Sequence, residues 1–150
     1  MRKLRWKLLL EIGLIAGIVQ ALAGVVMYVA GVYFAAWSML VSGGILVLCI
    51  VLGTRWYRDN VLGGTMTYSQ ALIIGIVISI STGIIYALYN VISISFLYPN
   101  FLDDTIRAGA RDATLPKIAV GNLIRLSIGG AILSIITSII LRGKTLPQKS

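Results

Sequence analysis

The chain has 150 residues, 58% of them hydrophobic and only 12% charged, with a formal net charge of +8. Soluble domains carry roughly 25% charged residues, and a soluble fold of this length has nowhere to hide so much apolar surface. The long unbroken apolar runs also exclude a transmembrane barrel, whose strands alternate over about ten residues, so the expected class is an all-α four-helix transmembrane bundle forming one domain over 1–150.

In chain order, the first apolar region runs from Leu8 to Thr54, interrupted only by Glu11 and Gln20. As helix it would be about 70 Å long, more than twice a bilayer core of roughly 30 Å. It must therefore fold into a hairpin of two spans, 8–30 and 36–54. The turn is expected near Gly31–Ala35, because Gly31 suits a helix end and Tyr33, Phe34 and Trp37 suit an interface. Ala21-Leu-Ala23 offers a signal-peptidase-like site, but Glu11 interrupts the apolar stretch and hydrophobicity continues well past Ala23, so an uncleaved first span is expected.

A polar stretch from Arg55 to Thr67 follows, with a turn marked by Gly63-Gly64. Thr67-Tyr-Ser-Gln70 reads as a capping box that opens the third span, 68–95. The connection 96–117 is the longest. Pro99 and Asn100 break the helix, and Asn100 is placed to cap a short surface helix in which Asp103 stands four residues before Arg107. Pro116 suits the first turn of the fourth span, 118–141.

Nine of the thirteen basic residues lie on one side of this threading: Arg2, Lys3, Arg5 and Lys7; Arg55 and Arg58; Arg142, Lys144 and Lys149. On the other side Arg107, Arg111 and Lys117 are balanced by Asp103, Asp104 and Asp112. The positive-inside rule then puts both termini in the cytoplasm, and the basic ends meet anionic lipid headgroups rather than nucleic acid. Trp6, Trp56, Tyr57 and Tyr68 are expected in the inner aromatic belt, and Tyr33, Trp37, Phe96 and Tyr98 in the outer one. The single cysteine, Cys49, reads as a small buried hydrophobe. There is no histidine, so the commonest metal ligand and general base is missing, and no cofactor is expected.

Three features stand out as candidate sites. The third span carries small residues every four positions: Ala71, Gly75, Ser79, Gly83 and Ala87. Gly13, Gly17 and Ala21 repeat the device in the first span, and Gly130, Ser134 and Ser138 in the fourth. Such faces let backbones approach, either inside the bundle or between protein copies. Glu11, about one turn into the first span, is a candidate proton- or cation-binding group, as in small four-helix multidrug transporters. Its competing role is a pair with Lys7 near the headgroups. Arg125 lies too deep to reach the surface easily and should face the bundle or a wet cavity. Its expected neighbours are Asn122, Asn90, Tyr86 and Tyr89, as a small ligand site or as interhelical glue. No phosphate loop, serine elbow, cysteine pair or metal-ligand spacing occurs, so an enzyme is not expected.

The strings Gly53-Thr-Arg-Trp-Tyr-Arg-Asp59, Gly63-Gly64, Tyr68-Ser-Gln-Ala71, Ala87-Leu-Tyr-Asn90 and Pro99-Asn-Phe-Leu102 resemble a family of small four-helix integral membrane proteins. That family is found mainly in Bacteroidota-type bacteria and is known only as a domain of unknown function. The resemblance covers residues 45–102 well and the flanking spans in pattern. It implies four spans and a bacterial cytoplasmic-membrane address, and no activity. Family members often carry a longer charged insert between spans three and four than this chain does, and the family pattern requires neither Glu11 nor Arg125. Two functions are therefore expected to compete. One is a non-enzymatic scaffold or accessory subunit, which assembles with itself or with a membrane-protein partner through its small-residue faces. The other is a small oligomeric proton-coupled transporter or channel that uses Glu11.

Overall fold

The computed structural model describes residues 4–35 and 37–141, and they form five helices and no strand. The basic residues expected at the extreme termini, Arg2, Lys3, Arg142, Lys144 and Lys149, lie outside the described residues. Helix α1 covers Trp6–Val29, α2 Ser38–Asn60, α3 Tyr68–Ile92, α4 Phe101–Arg107 and α5 Leu115–Leu141. The last turn of α3 widens into a π-helical turn over Ser93–Leu97, so that helix continues past residue 95. Four helices are long and apolar enough to cross a membrane: α1, α2, α3 with its π turn, and α5. The molecule is a membrane protein built as an all-α bundle.

Local chemistry explains the element ends. α1 stops in a Schellman motif: the Val32 N–H donates to Met27 O and the Gly31 N–H to Tyr28 O, each at 2.9 Å. Gly31 sits at φ +70°, a conformation open to glycine at no steric cost. At the start of α3 the capping box forms: the Gln70 N–H donates to Thr67 Oγ1 at 3.3 Å, and the Thr67 N–H to Gln70 Oε1 at 3.0 Å. α2 runs six residues past Thr54, because Arg55 and Arg58 remain helical and both flank Asp59, at 3.8 and 2.7 Å. Helix α4 forms where a short surface helix was expected, but Asn100 makes no side-chain cap. Arg107 pairs with Asp104 at 3.7 Å rather than with Asp103, since i,i+3 brings the two side chains together as well as i,i+4 does.

α3 is the central helix. It packs most closely on α5, then on α1, while α2 touches all three at fewer points. The interior mixes apolar side chains such as Leu9, Ile50, Ile74 and Ile78 with polar ones. Gln20, Thr54, Ser79, Thr82, Ser134 and Ser138 are buried, whereas Leu22, Val26, Leu40 and Ile140 are exposed. In hydrocarbon a leucine gains nothing by turning inward, so close packing of small residues and interhelical hydrogen bonds decide which face is inside.

The glycine stripes show this directly. A methyl group at Gly75 would lie 2.7 Å from Ser134 Cβ, and one at Gly130 would overlap Ser79. Each of these serines donates back to its own helix, Ser79 to Gly75 O at 2.7 Å and Ser134 to Gly130 O at 2.6 Å. The α3–α5 seam is thus a reciprocal pair of serine knobs and glycine holes. Gly83 meets Leu123 and Ser127 of the same helix, while on α1 Gly13 abuts Ser81 and Gly17 abuts Ile85 of α3. Ala71 is buried in the core cluster and Ala87 is half-buried.

Aromatic residues tie the loop end together. Phe101 of α4 is buried and stacks with Tyr28, Tyr33 and Phe34 at centroid distances of 5.3–5.7 Å, and the Tyr28 hydroxyl donates to Asp104 at 3.1 Å. At the opposite end Tyr57 departs from the expected belt. It is fully buried in the core cluster, and its hydroxyl accepts from the Arg5 N–H at 2.6 Å. The tyrosine seals the start of α1 against α2 instead of facing headgroups.

Candidate functional site: a basic cleft between α2 and α5

On α5, Lys117, Gly121, Arg125 and Gly129 recur every four residues and so share one face. Arg125 lies about 12 Å along the helix from Lys117. Side chains on a helix lean toward its N-terminus, which here is the loop end. The Arg125 guanidinium is therefore directed back toward Gly121 and Asn122. Gly121 has no heavy atom within 4 Å of where a Cβ would stand, so open space adjoins Arg125 one turn toward the loop end.

That space is a cleft of about 470 Å³. Its walls are the first turns of α2 (Ser38, Met39, Ser42) and of α5 (Lys117, Ile118, Gly121, Asn122, Arg125). The buried Met27 and Tyr86 back it, and Tyr33, Phe34, Phe101 and Thr105 border it at the loop end. A polar network holds the α2 wall in place. Ser38 Oγ donates to Tyr33 O at 2.7 Å, the Tyr33 and Tyr86 hydroxyls meet at 3.4 Å, and Gln20 of α1 donates its amide to the hydroxyl and carbonyl of Ser42.

The electrostatics of the cleft are one-sided. Lys117 and Arg125 line it, and no carboxylate does. Lys117 stands 4.0 Å from Asp112, both highly exposed, a pair of little energetic weight. Arg125 is exposed and has no ion pair among the described residues, and it shares the cleft with Tyr86.

The expected polar cluster is divided. Arg125, Asn122 and Tyr86 share the cleft, but Asn90 and Tyr89 do not line it. Asn90 is buried and donates to Tyr86 O of its own helix at 2.7 Å. With Tyr89, Gly24, Tyr28 and Ser93 it surrounds a separate cavity of about 10 Å³, the size of one water site. Asn90 stands one turn further along α3 than Tyr86, and its amide is turned back onto its own helix rather than into the cleft.

Glu11 lies near the other end of the bundle. It is exposed on α1 and borders an apolar groove of about 400 Å³ with Leu8, Ile15, Val19, Cys49, Leu52 and Trp56. The expected ion pair with Lys7 is not formed among the described residues. Cys49 is half-buried in this groove rather than enclosed.

Ser42 and Lys117, which line the cleft, and Gln20, which holds Ser42 from behind, carried no functional expectation from the sequence. A signal for Gln20 was present: it continues the Gly13–Gly17–Gly24 face of α1, so a lone amide on a small-residue stripe already pointed inward. Its side chain is 1% exposed, and its Oε1 has no partner among the described residues.

Residues 11–143 match the family described as "Protein of unknown function (DUF4199)". No curated protein and no solved structure matches the chain. Since the match covers nearly the whole bundle, the chain belongs to the DUF4199 family of proteins of unknown function.

Proposed function

We propose that this protein is a non-enzymatic, multi-pass protein of a bacterial cytoplasmic membrane, with both termini inside, that acts as an accessory subunit by holding an anionic counterpart in the cleft between α2 and α5. The observation that carries this reading is Arg125. A guanidinium inside a spanning helix is costly unless it is compensated, and Arg125 is exposed on an open cleft with no ion pair among the described residues. Its compensation has to enter from outside the chain. The small-residue faces first considered for assembly are occupied within the bundle, at Gly13, Gly17, Gly75, Gly83 and Gly130, which moves the binding surface to the cleft. The inside position of the termini is supported by Arg5, Lys7, Arg55 and Arg58 at one end, against the balanced charges of 98–117 at the other.

The test is affinity purification from native membranes in a lipid-preserving scaffold, with mass spectrometry of everything retained. A counterpart present in fixed ratio that is lost on Arg125→Gln supports the reading. Retention of the same material by both forms refutes it.

Glu11 favours a second reading, a small proton-coupled transporter, because its carboxylate borders an apolar groove and has no ion pair among the described residues. In proteoliposomes, Glu11→Gln should then abolish coupled uptake while leaving the protein's assembly intact, and unchanged uptake would remove this reading.

A further inference from the structure

The geometry points to an anionic phospholipid as the occupant of the α2–α5 cleft, its phosphate held by Arg125 with Lys117 at the mouth and one acyl chain lying beside Gly121. This inference rests on the cleft being the working site and names what fills it.

Three observations converge. The first is charge: the lining holds two cations and no carboxylate, which is the complement of a phosphate monoanion. Lys117 is shared with Asp112 at 4.0 Å, so Arg125 is the principal contact. Its planar fork donates to phosphate oxygens in pairs, a geometry lysine does not offer. The second is position. Arg125 is only about 12 Å along α5 from Lys117, and its side chain leans toward the loop end. A headgroup drawn slightly inward from the interface would meet it without crossing hydrocarbon. The third is shape. Gly121 has nothing within 4 Å on its open side, and it shares the cleft with the apolar Met39 and Ile118. The cleft thus offers an apolar wall directly beside the basic site. The hydroxyls of Ser38 and Ser42 line the opposite wall, where headgroup oxygens would lie. Basic pockets between spanning helices are a known way to hold anionic headgroups.

The full chain, purified in mild detergent, would be offered phosphatidylglycerol or phosphatidylcholine in separate samples, and retained lipid would be read by native mass spectrometry. One phosphatidylglycerol per chain is expected, with phosphatidylcholine retained much less. Arg125→Gln should weaken retention about tenfold or more, the loss of a charge-assisted pair. Gly121→Leu keeps every charge but fills the cleft beside Arg125, and should also lower retention; because its side chain enters open space, the fold should melt normally. Arg125→Lys should restore part of the binding. Equal retention of the two lipids, or an Arg125→Gln protein that retains phosphatidylglycerol as well as the parent, overturns the inference. An acidic polypeptide bound in place of lipid in native membranes, and lost with Arg125→Gln, overturns the lipid inference but leaves the cleft as the working site. Loss of neither lipid nor partner on Arg125→Gln overturns both.

Discussion

Replacing Gly75 by alanine tests whether the α3–α5 seam holds the molecule together or serves as a surface between molecules. The new methyl would stand 2.7 Å from Ser134 Cβ and 3.3 Å from Ser134 Cα. Unbonded carbons prefer about 3.5–4.0 Å, so the two helices must separate locally by about 1 Å. Overpacking of this kind costs about 1–3 kcal/mol. Alanine's better helix propensity returns about 0.5–1 kcal/mol, leaving a net loss of about 1–2 kcal/mol. Gly130→Ala meets Ser79 in the same way and should behave alike. Gly129→Ala is the control: it lies one residue away in open space, and should be neutral or slightly stabilising. Combining Gly75→Ala with Ser134→Gly makes room opposite the new methyl, so the double variant should be more stable than the sum of the single effects. Thermal unfolding in mild detergent, followed by circular dichroism, reads stability, and light scattering on a sizing column reads oligomeric state. If Gly75→Ala melts with Gly129→Ala, or dissociates an oligomer without lowering the melting temperature, the seam does not hold this chain's own helices together.

Further outcomes follow from other contacts. Tyr57→Phe removes the acceptor of the Arg5 N–H and should cost about 1 kcal/mol in the same melting assay; no change would mean that water replaces the bond. Gly31→Ala forces a side chain into φ +70° and should cost about 1–2 kcal/mol, while Thr67→Ala removes the α3 cap and should cost about 1 kcal/mol. Gln20→Leu removes the donor to the buried Ser42 hydroxyl and should cost about 1 kcal/mol; an unchanged melting temperature would show that relief of Gln20 Oε1, which has no partner among the described residues, offsets that loss. For orientation, in a Cys49→Ser background, a membrane-impermeant maleimide applied to intact spheroplasts should modify Asp112→Cys and spare Asn60→Cys; the reverse pattern would place the termini outside.

The sequence by itself determined that this is a membrane protein of four long helices, where the first hairpin turns, and how α3 is capped. These are local matters. A helix satisfies its own backbone, so its existence follows from apolar length, and its ends follow from residues such as Gly31, Thr67 and Gln70 that complete the terminal hydrogen bonds. Sequence also placed Arg125 within the fourth long apolar helix, because position along a helix follows from helical rise. What each helix turns toward its neighbours was decided only by the tertiary structure. The spans are apolar nearly all round, so hydrophobicity does not choose a face; the choice falls to close contacts such as Gly75 against Ser134 and Gly13 against Ser81. That choice used up the small-residue stripes inside the bundle, drew Tyr57 away from the interface, separated Asn90 from Arg125, left Glu11 on an outer groove, and brought Lys117, Arg125 and Ser42 to one cleft. Each of these depends on the rotation of one helix against another, and residues as far apart in the chain as Ser42 and Arg125 meet only once that rotation is set.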